Sequence, residues 1–266
     1  MASPFLRWAG SKRQHVPFLR QYWHAAQHRR YIEPFAGSAA LFFSVAPPSA
    51  VLGDLNGELI QTYRALRHNP DVVHRKLTGF AKGKAAYYRL RAMRLGDAAW
   101  RAARFIYLNR FCFNGLYRTN CRGEFNVPYG APKNDHLPDL NQLRACARLL
   151  FRARLVHADF RRTLAVVEPG DFVYIDPPYA VSRRRVFVEY GKEPFSTKDL
   201  IELAGWLEQI DRRGACFVLS YADSHEARSL SGEWRRRRFA VRRHVAGFSC
   251  ARRNHYELFV SNIKDF

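Results

Sequence analysis

One short stretch carries residue types that could prepare an amine for attack. Asp176-Pro177-Pro178-Tyr179 follows directly on Phe172-Val173-Tyr174-Ile175. Those four apolar, β-favouring residues predict a buried strand. The prolines cannot donate to a ladder, so the strand must stop there. Asp176 is therefore expected at a strand tip facing a rigid loop, the rim where open α/β sheets bind ligands. The Asp176 carboxylate and the Pro177 carbonyl are both acceptors. Held side by side, they can take both hydrogens of one exocyclic amine. That withdraws the nitrogen lone pair from ring conjugation and aims it at an electrophile. Tyr179 offers a flat face on which the ring can stack. An amino-purine or amino-pyrimidine swung out of a helix has the matching chemistry. Asp-Pro-Pro after a strand also makes an ordinary turn, so the surrounding elements must decide.

Those elements alternate as strand and helix at both ends of the chain. Tyr31-Ile32-Glu33-Pro34-Phe35-Ala36-Gly37 and the apolar run to Phe43 predict a strand, a glycine turn and a helix, the opening of a Rossmann-like unit. The spaced glycines of a dinucleotide fingerprint and the Gly-Lys-Ser/Thr of a phosphate loop are both missing. Ala50-Val51-Leu52-Gly53-Asp54 predicts the next strand, with Asp54 placed either for ribose hydroxyls or as a helix cap. Two carboxylates at neighbouring tips without a phosphate cradle suit a nucleoside cofactor that lacks a pyrophosphate, such as S-adenosylmethionine. Arg154 to Phe160 predicts a further strand ending near Asp159, whose carboxylate and aromatic neighbour could flank an adenine. A helix from Thr197 to Asp211, capped by Ser196 or Thr197, and strands at Cys216–Ser220 and Tyr256–Val260 complete the pattern.

Between Asn56 and Leu150 the alternation lapses. Helical patterns run over Glu58–Arg67, Ala85–Leu95 and Ala98–Asn109, rich in Arg, Lys and Tyr. Asn109 to Asn120 and Arg122 to Gly130 then mix amides, arginines and aromatics around glycines. That composition suits a loop and hairpin entering a DNA groove, where Arg reads guanine, Asn reads adenine and aromatics wedge between bases. The expected division is a catalytic core of residues 1–56 and 151–266, interrupted by a mostly helical target-recognition domain over 57–150.

Composition narrows the partners. The 266 residues carry 44 Lys and Arg against 23 Asp and Glu, a net charge of +21, with 14% aromatics. Such a balance suits a polyanion, with rings available for bases, although an arginine-rich solubilising surface has the same count. Arg183-Arg184-Arg185 lie in a charged segment, and Arg235 to Arg238 with Arg242-Arg243 would make a basic face toward phosphate or solvent. Five cysteines in no ligand spacing predict reduced thiols, no metal and a cytoplasmic protein. No apolar signal core or membrane-length stretch is present.

Together these motifs resemble the Dam-type DNA adenine-N6 methyltransferases of the D12 class. In their alpha group the glycine motif precedes the recognition domain and the catalytic motif follows it. The resemblance runs through Phe5 to Lys12, Glu33-Pro34-Phe35-Ala36-Gly37, Asp54-Leu55-Asn56, Asn109 to Asn120, Arg122 to Pro128 and Asp176-Pro177-Pro178-Tyr179. It implies a monomeric methylase, orphan or paired with a restriction enzyme, that flips an adenine from double-stranded DNA and methylates it from S-adenosylmethionine, best matched to GATC. It further implies that Trp8, Lys12, Phe35, Gly37, Asp54 and Asp159 hold the cofactor, with Asp176 close by. Asp176, Pro177, Pro178 and Tyr179 would be catalytic. Phe113 and Leu116 would wedge the duplex, and Arg118 would read a guanine beside Asn114, Arg7 and Pro128. Three positions depart from the family pattern: Ala39 and Ser11 stand where glycines are common, and Tyr221 where Asn is frequent.

Overall fold

The strand after Gly170 shows how the sheet is built. Phe172–Ile175 (β4) is buried along its whole length. Phe172 and Tyr174 enter one hydrophobic cluster while Val173 and Ile175 enter another. A strand apolar on both faces belongs inside a parallel sheet covered by helices on both sides. The chain is described by a computed structural model over residues 2–25, 27–132, 136–179, 195–224, 228, 232–241 and 255–264. The arginines at 183–185 and 242–243 lie outside the described residues.

Among those residues one seven-stranded sheet forms. Its members are β1 (Tyr31–Glu33), β2 (Ala50–Asp54), β3 (Ala153–His157), β4, β5 (Cys216–Ala222), β6 (Arg235–Val241) and β7 (His255–Ser261). The order is β3-β2-β1-β4-β5-β7-β6. Pairings from β3 through β5 are parallel, and β7 runs antiparallel to both β5 and β6. From β1 the chain winds outward to β2 and β3, then returns to β4 on the other side of β1. The order therefore reverses between β1 and β4, and the carboxyl ends of these two strands form the crevice where such sheets bind ligands.

The helices are α1 (Val16–His24), α2 (Ala40–Val45), α3 (Gly57–His68), α4 (Pro70–Thr78), α5 (Lys84–Ala92), α6 (Ala98–Phe111), α7 (Leu140–Leu150), α8 (Phe160–Leu164) and α9 (Thr197–Arg212). Sequence pattern anticipated α3, α5, α6 and α9, and it missed α1, α4 and α7. Their signals were local: Pro70 at the first helical position of α4, Pro17 early in α1 and the Asp139 cap on α7. Helix α5 stops at Ala92 rather than Leu95, because Met93 is already extended. The cap on α3 is Asn56, not Asp54. Asp159 lies past the end of β3 and caps α8. Ser196 caps α9 through a reciprocal capping box with Asp199. Arg235–Arg238, read as a basic face, form most of β6, and all four side chains are exposed on this outer strand. Buried residues of α3 to α7 join Phe5, Leu6, Phe42, Phe172 and Tyr174 in one continuous cluster. Cluster two lies on the other sheet face, under α8 and α9.

Ala39, at the entrance to α2, has φ 49° and ψ 42°, the left-handed region, and is 1% exposed. Left-handed backbone costs a residue with a Cβ about 1–2 kcal/mol. Glycine would remove that cost but lose more freedom on folding, about 0.4–1 kcal/mol. Ala39→Gly should therefore stabilise the fold by about 0.5–1 kcal/mol, read as a raised urea midpoint at unchanged slope.

Candidate active site

A cavity of about 1010 Å³ opens over the tips of β1 and β4. Asp176, Pro177, Pro178 and Tyr179 form one wall, and Trp8, Gly37, Asp54, Phe35 and Asp159 also line it. The sequence-predicted catalytic and cofactor residues thus share one chamber. Lys12, also in its lining, is 8% exposed and turns toward the acid: Nζ lies 2.9 Å from Asp176 Oδ1 and 3.5 Å from Glu257 Oε2. Burial pulls the lysine pKa down, but the Asp176 and Glu257 charges reverse this and hold it above its ordinary value. Burial pushes the Asp176 carboxyl up, and the Lys12 charge and hydrogen bond pull it back. With Oδ1 held by the ammonium, Oδ2 is the oxygen better placed to accept from a guest.

Asp54 organises the glycine turn. Its Oδ2 accepts from Gly37 N at 2.9 Å and its Oδ1 from Asn56 N at 2.8 Å. Burial raises its pKa from 3.8 to about 6, with the two backbone N–H donors opposing. The group is thus mostly ionised at neutral pH, and each oxygen retains acceptor capacity. Gly37 has φ +46°, and a Cβ there would lie 2.9 Å from Trp8 Cδ1 and Nε1. The Trp8 ring in turn stacks near Tyr117, with centroids 6.1 Å apart at 16°, and near Phe105. Phe35 stacks on Phe160 at 5.4 Å, with Phe195 edge-on at 6.0 Å. Asp159 is committed to Arg161, which also grips Asp199 and Glu202.

Of the residues expected to contact DNA, Arg7, Asn114 and Leu116 line this chamber, whereas Phe113, Arg118 and Pro128 do not. Asn109 belongs to the last turn of α6 rather than to a loop, and its side chain accepts from Arg7 N at 2.8 Å and donates back to Arg7 O. Beyond it, Cys112 bridges to Tyr129 and Thr119 to Phe125, closing a hairpin. Phe113 is 39% exposed. Leu116 is half-buried, and both Leu116 and Asn114 line the cavity. Asn114 has φ 53°, Pro128 is exposed, and Gly115 packs so tightly on Arg7 that a Cβ would lie 2.9 Å from the Arg7 Cβ. Arg118 is half-buried, its Nε donating to Asn126 Oδ1 at 2.7 Å.

The profile of the D12 class N6 adenine-specific DNA methyltransferases matches residues 8–243. The chain belongs to this family. Among its relatives, the type II methyltransferase M1.LlaDCHI of Lactococcus lactis subsp. cremoris is 34% identical over 97% of this chain and 95% of its own length. The retron Ec67 DNA adenine methylase of Escherichia coli is 34% identical over 86% of this chain and 80% of its own. The DNA adenine methylase of Vibrio cholerae is 32% identical over 85% and 83%. The chain is accordingly a DNA adenine-N6 methyltransferase, and its family takes the methyl group from S-adenosylmethionine. No described helix is long and apolar enough to cross a membrane.

Sequence reading passed over several residues at this D12 site. Phe195 precedes the Ser196 cap, the position from which a hydrophobic residue staples onto its helix. Glu33, which the sequence does mark as an acid at the tip of β1, accepts from the Tyr31 hydroxyl at 2.9 Å. Burial drives its pKa far up, that hydrogen bond opposes, and the Asp176 and Asp54 charges add to the rise. Glu257 could have been noticed as a lone acid opening the apolar run Leu258-Phe259-Val260.

Gly37→Ala would add left-handed strain, about 1–2 kcal/mol, to an overpacking cost of about 1–3 kcal/mol against the Trp8 ring. A loss of about 2–4 kcal/mol in unfolding free energy is expected from urea titration.

Proposed function

We propose that this chain methylates the N6 of an adenine flipped out of double-stranded DNA, with GATC as its recognition sequence. The observation that carries the reading is the single cavity shared by Asp176, Pro177 and Tyr179 on one side and Phe35, Asp54 and Trp8 on the other. Its volume of about 1010 Å³ is at the top of the range for small-molecule sites, about 300–1,000 Å³, and suits two guests side by side. The cofactor end fits an adenosine carrying an amino acid: Phe35 and Phe160 offer aromatic faces, while Asp54 and Asp159 offer acceptors for hydroxyl and amine groups. When bound, S-adenosylmethionine supplies an electrophilic methyl on a sulfonium.

The residues of the chain do the rest. Asp176 Oδ2 and the Pro177 carbonyl accept the two hydrogens of the adenine amine and turn its lone pair toward the cofactor. Pro178 keeps that carbonyl rigid, and the Tyr179 ring stacks on the base. Lys12 fixes the Asp176 carboxylate at 2.9 Å. The nitrogen attacks directly, so the protein needs no nucleophile of its own. The proton leaves after transfer, once methylation has made the amine acidic. Alignment and fixed dipoles supply the acceleration. Residues 57–150 serve as the target-recognition domain, Phe113 and Leu116 opening the duplex while Arg118, braced by Asn126, reads a guanine. Asn114, Arg7 and Pro128 border that contact. GATC is supported by the resemblance around Arg118 noted in the sequence.

Asp176→Ala should retain DNA affinity in a gel-shift titration and lose methyl transfer to plasmid DNA. Near-normal turnover by that variant would end the reading. Arg118→Ala should relax discrimination at one guanine by about 1–3 kcal/mol, measured by mapping N6-methyladenine base by base in DNA from expressing cells. Uniform loss across all sequences would make Arg118 a phosphate contact instead.

A further inference from the structure

Strand β7 buries two polar side chains, Ser261 at one end, which donates to Phe217 O, and Glu257 at the rim end. Leu258, Phe259 and Val260 are buried hydrophobics, whereas Glu257, at 3% exposure, is a carboxylate. A buried carboxylate is costly unless it is paired and hydrogen-bonded, and an apolar side chain of similar volume would pack as well or better. Two partners of Glu257 belong to the site described above. The Tyr179 hydroxyl donates to its Oε1 at 2.7 Å. The Lys12 ammonium lies 3.5 Å from its Oε2 while reaching Asp176 Oδ1 at 2.9 Å.

The backbone at Glu257 is part of an interior strand of the sheet. It lies in register with Ala222 on β5 and Phe239 on β6, so strands pair with it on both sides. Tyr179, by contrast, stands on a loop two residues beyond Pro177, with Tyr221 meeting its ring edge-on at 5.4 Å. A phenol hydrogen-bonded at its far end to a strand carboxylate cannot swing without breaking that bond. Lys12 likewise lies two residues past Gly10 and precedes a 3-10 turn at Arg13–His15, and its ammonium is drawn between two carboxylates.

We propose that Glu257 is a positioning residue for methyl transfer, setting the Tyr179 ring and the Lys12 ammonium in register with Asp176. The inference rests on the roles given to Asp176 and Tyr179 under Proposed function. Glu257 touches neither base nor methyl donor in this scheme; it acts through the tyrosine and the lysine.

The test uses the full chain, S-adenosylmethionine and unmethylated plasmid DNA. It compares wild type, Glu257→Gln, Tyr179→Phe, the double variant and Asp176→Ala in single-turnover methylation, with KM for DNA and cofactor measured separately. Glu257→Gln removes the charge, and Tyr179→Phe keeps the ring while removing its hydroxyl. Each should slow the single-turnover rate about tenfold or more, the scale of a sub-ångström to 1 Å misplacement, with both KM values changed less than about twofold, since binding contacts survive. The double variant should be slowed by less than the product of the two single losses, because Glu257→Gln weakens and Tyr179→Phe removes one and the same hydrogen bond. Wild-type rates in Glu257→Gln and Tyr179→Phe would overturn the proposal, as would losses that multiply in the double variant or that appear only as raised KM. Should Glu257→Gln fail to fold, Tyr179→Phe decides alone from the other side of the same hydrogen bond. Asp176→Ala separates the two readings: turnover by that variant removes the site assignment itself. Its inactivity beside wild-type rates in the other variants removes Glu257 only.

Discussion

The site depends on keeping a carboxylate useful as an acceptor after it has been taken out of water. Burial raises the Asp176 pKa, and a protonated carboxyl is a weaker acceptor that also carries a donor hydrogen. The Lys12 ammonium, 2.9 Å away, opposes that shift and occupies one oxygen of the two. A buried ion pair rarely adds stability over an apolar pair of the same volume. Its presence here makes chemical sense as a device that fixes charge state and orientation at a strand tip. The same logic applies one strand over. Asp54 is buried and raised to about 6, yet two backbone N–H groups hold it largely ionised and make it the pin of the glycine turn.

Sheet topology makes these local devices meet. β1 and β4 are neighbours in the sheet but are separated by most of the chain, and their tips deliver Glu33 and Asp176 to one crevice. β2 brings Asp54 alongside, and the antiparallel β7 brings Glu257 from the opposite direction. The N-terminal segment then crosses this rim and supplies Trp8 and Lys12. Besides Glu257, which the Tyr179 hydroxyl and Lys12 meet, three acids so gathered would repel each other as exposed charges. They coexist because each has a dedicated partner: Glu33 the Tyr31 hydroxyl, Asp54 two backbone N–H groups, and Asp176 the lysine.

Much of this was legible in the sequence, and what was not has a physical cause. Asp176-Pro177-Pro178-Tyr179 marks its own strand tip because proline ends a ladder. The glycine turn and Asp54 follow from the strand–turn–helix pattern. Lys12 was assigned to the cofactor, yet its ammonium lies against Asp176 and Glu257, because the N-terminal segment folds back over the rim and no periodicity encodes that crossing. Glu257 was invisible for the same reason: a lone acid in a strand reads as an edge residue until the opposite face is known. The helices α1, α4 and α7 escaped because their prolines and caps look like loop punctuation when the tertiary face they bury is not in view. Ala39 shows the converse. A departure from the glycine pattern left the turn intact, and the alanine adopts the glycine conformation at a local cost.

The helical region is less separate from the catalytic core than its position in the chain implies. Its buried residues merge with those of the sheet in one cluster. More specific ties run to the N-terminal segment. Asn109 exchanges two hydrogen bonds with the Arg7 backbone, Ala9 N donates to Gly115 O, and the Trp8 ring lies between Gly37 and the aromatic pair Tyr117 and Phe105. The Tyr117 hydroxyl then reaches Glu58 at the start of α3. Residues 7–12 are therefore clamped on one side by the hairpin that carries Phe113, Asn114 and Arg118, and on the other by Asp176 through Lys12. A side chain inserted into a duplex at the hairpin would pull on a segment whose next few residues hold the acceptor carboxylate. Close-packed interiors transmit such displacement rather than absorbing it. The hairpin and Asp176 are thus tied to one covalent segment, Arg7 to Lys12, and to the packed Trp8 ring within it.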